Sequence, residues 1–575
     1  MPVMRFFLMV LHCLFLFGIG HADETPAQEG SLTTGLFGIS PCHINNRSAG
    51  DDARWVPRME AIGLHYYRAA ATGWSLVEPS PGQWSWTALD AQMAYLEEHG
   101  IVFGGMFNGN VGWNDKDQPG TLPVNNLGAW TTHVTALVRH TKGRIRNWEV
   151  WNEPPNGTGR DQTAADYAKI VVSAHDAAKS VDPGCLIGLA AKSVHINYLE
   201  QAIRAGAGNH FDYLTLHPYE VLNGIADNAG TEAVFLNIVP MVRRMLRAQN
   251  PERAEIPIVF SEIGCDLRRG ADTQAHALVK AYAMGAAQGV ASIQWFEGRD
   301  GDSGPMGLLD ANGQPRPAYT AMAQMIKHLG QRPVFLGWLQ FQDKHPAFLF
   351  QGAETTVLVA WGQPNTSHEV IFDREVEIVD PLTEAAVKAD RFRPAPAPVL
   401  ILGVPDRLRN LAVANRGKPY RWGGDFAKAG SVSLTMGAER VENGLHTLAG
   451  DSLAQAVVAY GGSARAGNVP GGNLFIVDPG FLCYDPAPIE VAVTVRRNEA
   501  NENAGFKLVY ESTSGFKTAG GWFTIPDNQQ WHTQRFRIDD PQFVNYWGYN
   551  FALESDGDRY NHYFVKSVTV TKLRP

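Results

Sequence analysis

The stretch NWEVWNEPP, residues 147–155, joins a short apolar run to a polar pair. Residues 147–151 have the length and composition of a buried β-strand, because tryptophan and valine favour extended backbone. Asn152 and Glu153 follow the end of this strand, and the two prolines after them prevent the strand from continuing. The stretch therefore predicts a carboxylate and an amide at the end of a buried strand.

The same organisation recurs along the chain, with longer amphipathic stretches between the apolar runs. The stretch from Trp86 to Gly100 repeats apolar residues every three or four positions, as a helix with one buried face does. Eight such strand and helix units predict an α/β fold, a (β/α)₈ TIM barrel over residues 31–330. An open doubly wound sheet that binds a dinucleotide is less consistent with this sequence, since no glycine-rich fingerprint follows the first predicted strand. The predicted strands are residues 35–40, 64–70, 101–107, 147–151, 186–191, 212–217, 256–262 and 291–296.

Residues 1–22 contain one arginine, a continuous apolar run and, at their end, the small-residue pattern Gly20-His21-Ala22. This pattern predicts a signal peptide over residues 1–22 and a secreted or periplasmic protein. A membrane anchor is the alternative, but the run is shorter than the roughly 20 residues that a spanning helix needs. No later run is long enough, so no membrane span is predicted.

A chain of 575 residues exceeds the roughly 250–300 residues that one core accommodates, and its periodicity changes after residue 330. Alternating residues predict a small β-sandwich over 331–404. Short strands without a helix-length periodic run predict an all-β jelly-roll or sandwich over 405–575. Its aromatic residues suit either a carbohydrate-binding module or a sandwich core. They are Tyr420, Trp422, Trp522, Trp531, Tyr546, Trp547 and Tyr549.

Charge and cysteine content exclude several classes of function. The formal net charge is −9 and no basic stripe is present, which argues against a nucleic-acid partner. The cysteines after residue 22 have no metal-ligand spacing, so we expect buried thiols, with one disulfide as the alternative. No phosphate loop or ligand cluster is evident, and we predict no cofactor and no metal; calcium in the terminal domain is the alternative.

Two glutamates end predicted barrel strands, where loops converge on one cavity. Glu153 ends the fourth strand and Glu262, in VFSEIG, ends the seventh. A retaining glycosidase needs two carboxyl groups about 5–5.5 Å apart, one to attack the anomeric carbon and one to protonate the departing oxygen. Two facing strands of a barrel can supply that separation.

Several motifs in residues 31–330 are similar to those of clan A of the glycoside hydrolases, and most to the family 39 type of xylosidases, iduronidases and exopolysaccharide hydrolases. They are WEVWNEPP, HPY, VFSEIG, GWSLVEPSPGQWSWTALD and GLLDANGQPRPAY. The resemblance implies a (β/α)₈ barrel and a retaining enzyme. It implies that Glu153 is the general acid/base, that Glu262 is the nucleophile, and that Asn152 binds the sugar 2-hydroxyl. Beside an ionised Glu262, the pKa of Glu153 is then expected to be raised.

The resemblance also implies supporting residues, each with a structural alternative. Arg68 would keep the nucleophile ionised, or form a structural ion pair. His217 and Tyr219 would orient the nucleophile and touch the sugar, and Trp295 would form an apolar floor beneath it. His43 and Asn108, after the first and third strands, are further candidates of this kind.

The sequence is less informative about the substrate. A polysaccharide or oligosaccharide is the expected partner, with exo and endo action both open. Arg268, Arg269 and Arg299 could favour an anionic sugar, although solvated loop positions are more typical of such arginines. Trp84, Trp86 and Trp113 could line a cleft or pack loops. The alternative function is a non-catalytic carbohydrate-binding or matrix protein, which would keep the barrel without turnover.

Overall fold

The computed structural model describes most of the chain after the amino terminus. The described residues are 32, 35–40, 49–68, 71–116, 120–156, 158–159, 161–227, 232–301, 303–342, 345–421, 424–436, 440–447, 456–459, 462–469, 472–498, 503–528 and 530–573. The predicted signal peptide and His43 lie outside them.

Eight parallel strands form a closed barrel in sequence order, β1 to β8, which confirms the predicted fold class. Residues of alternate strand positions point inward and outward. On β4, Trp148 stacks on Phe107 outside the barrel, whereas Glu149 binds Arg68 inside it. The strands are β1 Phe37–Ser40, β2 Tyr66–Arg68, β3 Val102–Phe107, β4 Asn147–Val150, β5 Leu186–Lys192, β6 Tyr213–His217, β7 Ile258–Ile263 and β8 Ser292–Phe296.

Helices surround the barrel and close its core. The helix Ala164–Val181 buries one apolar face, as its periodicity predicts, whereas the helix Ala271–Ala287 is buried over most of its residues. The helix that follows β4 begins with a capping box, in which the Thr163 and Asp166 side chains bind each other's backbone N–H. The helices are α1 Ala49–Asp52, α2 Val56–Ala61, α3 Trp74–Val77, α4 Thr87–Glu98, α5 Leu127–Thr141, α6 Ala164–Val181, α7 Ile196–Arg204, α8 Tyr219–Asp227, α9 Glu232–Leu236, α10 Ile238–Gln249, α11 Ala271–Ala287 and α12 Pro317–Leu329.

A six-stranded antiparallel sheet follows the barrel, in the order β13-β12-β14-β11-β10-β9. Helix α13, Asp406–Asn415, packs on this sheet through Leu408 and Ala412. The expectation that no helix follows residue 405 is therefore wrong. The strands are β9 Val334–Phe341, β10 His345–Gln351, β11 Thr356–Ala360, β12 Val370–Val379, β13 Ala386–Phe392 and β14 Val399–Leu402.

The remaining strands form two antiparallel sheets that enclose a separate apolar core. This arrangement agrees with the predicted terminal sandwich. Its strands are β15 Ser431–Met436, β16 Arg440–Asn443, β17 Leu445–Thr447, β18 Ala456–Ala459, β19 Gly462–Ala466, β20 Asn473–Val477, β21 Ile489–Arg497, β22 Gly505–Ser512, β23 Gly515–Thr524, β24 His532–Ile538, β25 Phe551–Glu554 and β26 Tyr563–Lys572.

The terminal sandwich rests against the barrel. Asn197 on α7 donates to Gln542 Oε1 at 3.0 Å, and Asn237, just before α10, donates to the Cys483 sulfur at 3.0 Å. Arg244 on α10 donates to the Cys483 carbonyl at 3.0 Å. Within the described part of the chain, no helix is both long and apolar enough to cross a bilayer.

Candidate active site

The two predicted catalytic glutamates lie together at the carboxyl end of the barrel. Glu153 follows β4 and Glu262 lies in β7. One carboxylate oxygen of each lies within 4.8 Å of the other and of a ring nitrogen of His217. Glu262 is 5% exposed. Trp151 and Glu153 have positive φ angles of 69° and 50°, a conformation that L residues adopt uncommonly.

Arg68 connects the nucleophile candidate to the barrel interior. Its Nη1 donates to Glu262 Oε1, and its Nη2 donates to Asn152 Oδ1 at 2.9 Å. Its Nε and Nη2 also donate to both oxygens of Glu149, at 2.9 and 3.1 Å. Burial lowers the pKa of Arg68, but the two carboxylates outweigh it and raise that pKa above its usual value. The guanidinium is therefore a permanent positive charge between two buried acids.

Glu149 belongs to this network, although the sequence analysis did not single it out. It accepts hydrogen bonds from Thr215 at 2.9 Å and Ser261 at 3.2 Å, besides those from Arg68. Its four partner contacts hold Arg68 in place beneath the site. Its position within the apolar run NWEVW indicates such a role, since an acid is rarely buried in a strand unless it is paired.

His217, at the end of β6, lies between the two acids. Its Nδ1 is 2.8 Å from Glu153 Oε1 and 3.5 Å from Glu262 Oε2, and its Nε2 is 3.0 Å from Ser261 Oγ. Burial lowers the pKa of His217, but the charge of Glu262 and the hydrogen bond with Glu153 raise it overall. The imidazole therefore binds a proton more tightly than an exposed histidine does.

The pKa of Glu153 differs from the expectation. Burial raises it, but the hydrogen bond with His217 and the nearby positive charges of His217 and Lys192 outweigh burial and lower it to about 2. The direction is therefore opposite to the expected raised pKa of Glu153, because the hydrogen bond and the positive charges beside this carboxylate outweigh its burial. The 2.8 Å contact between Glu153 Oε1 and His217 Nδ1 makes the two groups a coupled pair, in which one proton can be shared.

Asn152 and Tyr219 also reach the site. The Asn152 carbonyl oxygen accepts from Arg68, which turns the amide nitrogen of Asn152 away from the guanidinium. The Tyr219 hydroxyl donates to Glu262 Oε2 at 3.1 Å. Glu262 thus has a donor on each carboxylate oxygen, Arg68 on one and Tyr219 on the other, as a stable anion requires.

Trp295 does not form the floor of the site. It is 0% exposed and lies in the core among residues that pack on the helices. Strand alternation explains this position: Ile293 points outward to α11, so Trp295 does as well, and Gln294 points into the barrel. Phe296 is the inward aromatic residue, with its ring centroid 6.4 Å from that of Tyr219.

Three other candidates make contacts with groups other than the two acids. Asn108 follows β3, and its carbonyl accepts from the Trp74 backbone N–H at 3.1 Å. Arg268 pairs with Asp266, two residues away, and Arg299 is buried and donates to the Ala311 carbonyl at 3.0 Å. Arg268 is thus engaged within its own loop, and Arg299 with the backbone at Ala311.

The tryptophans proposed for a cleft pack against one another and against helices. Trp84 and Trp86 stack at 5.2 Å, and Trp86 stacks on His140 of α5 at 4.2 Å. Trp113 packs edge-on against Trp74 at 5.6 Å. Loop packing accounts for all of these contacts.

Two groups of side chains have the spacing of metal ligands among the described residues. One is Glu153, His217 and Glu262. Its members already bind Arg68, Tyr219 and Ser261, and a guanidinium beside the site opposes a cation. The other group comprises His175, Asp176 and His210 on the outer surface of the barrel.

A closed barrel with eight parallel strands and paired acids after β4 and on β7 is the fold of the clan A glycoside hydrolases. A sequence profile of glycoside hydrolase family 42, described as β-galactosidase, matches residues 40–136. Beta-galactosidase BgaA from Thermus sp is 36% identical over 81 residues, 13% of this chain. The chain spans 13% of that relative's length.

Solved structures extend the likeness in fold. A family 39 glycoside hydrolase from the gut symbiont Bacteroides cellulosilyticus WH2 has a TM-score of 0.53 and 17% identity, over 64% of this chain and 80% of that one. A glucosidase from Croceicoccus marinus has a TM-score of 0.43 and 12% identity, over 94% of this chain and 96% of that one. The first of these supports the fold that the barrel topology defines.

Proposed function

We propose that the protein is an exported retaining glycoside hydrolase that cleaves β-type glycosidic bonds in a polysaccharide or oligosaccharide. The proximity of Glu153 and Glu262, with carboxylate oxygens within 4.8 Å, carries the proposal. This spacing suits direct attack by one carboxylate and leaves little room for the water that an inverting enzyme places between its two acids. The profile match of residues 40–136 to a glycoside hydrolase family supports the same class.

In the first half of the reaction, Glu262 is the nucleophile. Its carboxylate oxygen forms a bond to the anomeric carbon while the bond from that carbon to the leaving-group oxygen breaks. Arg68 and Tyr219 keep Glu262 anionic and oriented by donating to its two oxygens. The Asn152 amide nitrogen, directed away from Arg68, is placed to donate to the sugar 2-hydroxyl, an interaction that strengthens in the transition state.

The departing oxygen needs a proton, which the Glu153 and His217 pair supplies. In the free enzyme this proton lies mainly on His217, since the pKa of His217 is raised and that of Glu153 is lowered. Their 2.8 Å contact lets the proton move to Glu153 when a glycosidic oxygen arrives there. Glu153 then delivers it to the leaving group.

The second half reverses the roles. Glu262 is now a neutral ester, and Glu153 is a carboxylate that accepts a proton from water. The resulting hydroxide attacks the anomeric carbon and releases Glu262, so the product keeps the anomeric configuration of the substrate. The proton returns to the pair of Glu153 and His217, which restores the starting state.

The test is hydrolysis of a panel of β-linked polysaccharides, oligosaccharides and aryl glycosides by the mature protein. Glu262→Gln should abolish hydrolysis of every substrate that the parent cleaves. Glu153→Ala should retain activity mainly on glycosides with a good leaving group, which need no proton. If the parent cleaves nothing yet binds one of the polysaccharides, a non-catalytic carbohydrate-binding protein is the better conclusion.

The export of the protein is a separate part of the proposal, and it rests on the sequence of residues 1–22. Expression of the full chain with fractionation of the culture tests it. A mature form that starts after Ala22, outside the cytoplasm, is the expected result. An uncleaved chain that stays in the cytoplasm would contradict it.

A further inference from the structure

A loop of the terminal sandwich reaches the carboxyl end of the barrel. This loop, residues 543–549, lies between β24 and β25 and places the Tyr546 ring on His195, with centroids 3.9 Å apart. The Tyr546 carbonyl is 2.5 Å from the Ser193 hydroxyl, just after β5. A side chain at Gly548 would come within 3.0 Å of the Glu220 carbonyl. The terminal domain therefore forms part of the rim of the candidate active site.

Three consecutive contacts connect this loop to the acid/base candidate. Asn156 Nδ2 donates to Glu153 Oε2 at 3.1 Å, and Lys192 Nζ donates to Asn156 Oδ1 at 3.4 Å. The same ammonium lies 4.9 Å from the centre of the Trp547 ring. Burial and the charges of Glu220 and Glu153 raise the pKa of the Tyr546 hydroxyl, which is consistent with this proximity.

The position of these residues relative to Glu153 assigns them to one side of the scissile bond. Glu153 protonates the oxygen that leaves, so groups next to its outer carboxylate oxygen face the leaving group. Arg68 and Tyr219 bind Glu262, on the side of the sugar that is attacked. Lys192 and Trp547 are associated with Glu153, through Asn156, and so lie on the leaving-group side.

Their chemistry suits a sugar ring. Trp547 is 36% exposed, and an indole presents a flat apolar face on which the C–H face of a sugar can stack. Among the described residues, Lys192 has no carboxylate within ion-pair distance, so its ammonium keeps donors for the hydroxyl or carboxylate oxygens of a ligand. Together they combine an apolar face with a charged donor.

The loop is held in place before any ligand arrives. The buried Glu511 carboxylate accepts from the backbone N–H groups of Val544, Asn545 and Tyr546, at 2.9, 3.0 and 2.5 Å. It also accepts from Asn550 Nδ2 at 2.9 Å. Such a rigid anchor lowers the entropic cost of presenting Trp547 to a ligand. Glu511 is thus a positioning residue for the loop.

From this geometry we propose that Trp547 and Lys192 form a subsite for the sugar unit that leaves in the first half of the reaction. The inference rests on the proposed function. It makes the terminal sandwich a part of the active site, in addition to any role as a separate carbohydrate-binding module. It also identifies the natural substrate as one with a sugar, rather than a small aglycone, in the leaving-group position.

The test compares kcat/KM for an oligosaccharide that the parent cleaves with kcat/KM for the aryl glycoside of the same terminal sugar. In Trp547→Ala the ratio of the oligosaccharide value to the aryl value should fall about tenfold, which corresponds to about 1.4 kcal/mol of lost stacking. Lys192→Met and Glu511→Gln should lower the same ratio. Trp522→Ala is the matched control, because Trp522 is a 43% exposed tryptophan on β23 of the same domain, and it should leave the ratio unchanged.

Each outcome decides one of the two proposals. A parent that cleaves no glycoside overturns the proposed function and the subsite with it. An active parent with an unchanged ratio in Trp547→Ala overturns the subsite alone. An equal fall of the ratio in Trp522→Ala does so too, since binding would then depend on the outer face of the sandwich.

Discussion

Replacement of Arg68 by methionine should destabilise the barrel strongly, because it leaves two buried acids without their common partner. The side chains of Arg68, Glu149 and Glu262 are 2%, 4% and 7% exposed, so both ion pairs are buried. Removal of one partner from a buried ion pair costs about 3–5 kcal/mol. We therefore expect Arg68→Met to lower the free energy of unfolding by about that amount, and activity to be lost with it.

Chemical denaturation followed by tryptophan fluorescence measures this loss. Arg144→Met is the matched control, because Arg144 makes a two-point contact with Glu97 at 2.7 and 2.9 Å on the barrel surface. Exposed pairs contribute only about 0–1 kcal/mol. The double variant Arg68→Met, Glu149→Gln should recover part of the loss, since one buried charge is removed. Equal effects of Arg68→Met and Arg144→Met would refute the reasoning.

Three further predictions concern the proton pair and its surroundings. The value of kcat/KM should fall as pH rises through the raised pKa of His217. In His217→Asn this alkaline fall should occur at lower pH, because Glu153 alone then holds the proton. A fall at the same pH in both proteins would contradict the shared proton. The pair should stabilise the fold most between about pH 4.5 and 6.5. The stability that Glu153 contributes is present above the pKa of Glu153 in the unfolded chain, and it is lost as pH falls toward 2. The stability that His217 contributes is present below the pKa of His217 in the unfolded chain, and it is lost as pH rises through the raised pKa of the folded protein. Thermal unfolding of parent and His217→Asn across this range measures the difference, and parallel curves would disprove it. Thr215→Val should lower the free energy of unfolding by about 1–3 kcal/mol, since it removes a buried hydrogen-bond donor to Glu149. A decrease of less than about 0.5 kcal/mol would show that the hydroxyl is dispensable.

The barrel could be predicted because its signals are local. Each strand is a short apolar run, and the observed strands fall within a few residues of the predicted ones, as β4 at Asn147–Val150 does for the prediction 147–151. The two acids could be located because they end such runs. Helix α13 was missed because it has only ten residues, and its buried face is supplied by Leu408 and Ala412 alone.

Side-chain direction was harder to predict than strand position. Trp295 was expected in the site because it ends β8, yet the polar Gln294 one position earlier occupies the inward face. A strict alternation from Gln294 would have placed Phe296 inward and Trp295 outward. Glu149 shows the same difficulty, because it lies within the apolar run 147–151 and only its inward direction brings it to Arg68.

Contacts between distant parts of the chain left no periodic signal. Tyr546 and Trp547 are about as far from Glu153 in sequence as the chain permits, and only docking of the sandwich on α7 and α10 brings them to the rim. The shift of the pKa of Glu153 has the same origin. It depends on the 2.8 Å contact with His217, a distance that sequence spacing does not determine.

The central claim is that Glu262 forms a covalent bond to the substrate sugar. The probe is a 2-deoxy-2-fluoro glycoside, with a good leaving group, of the sugar that the parent hydrolyses. Its fluorine slows both steps by destabilising their oxocarbenium-like transition states, and its good leaving group restores the rate of the first step alone, so the intermediate accumulates. Intact-mass measurement followed by peptide mapping should find one added glycosyl group, on the peptide that contains Glu262, and none in Glu262→Gln. An active protein that gains no such group, or gains it on another residue, would contradict the account.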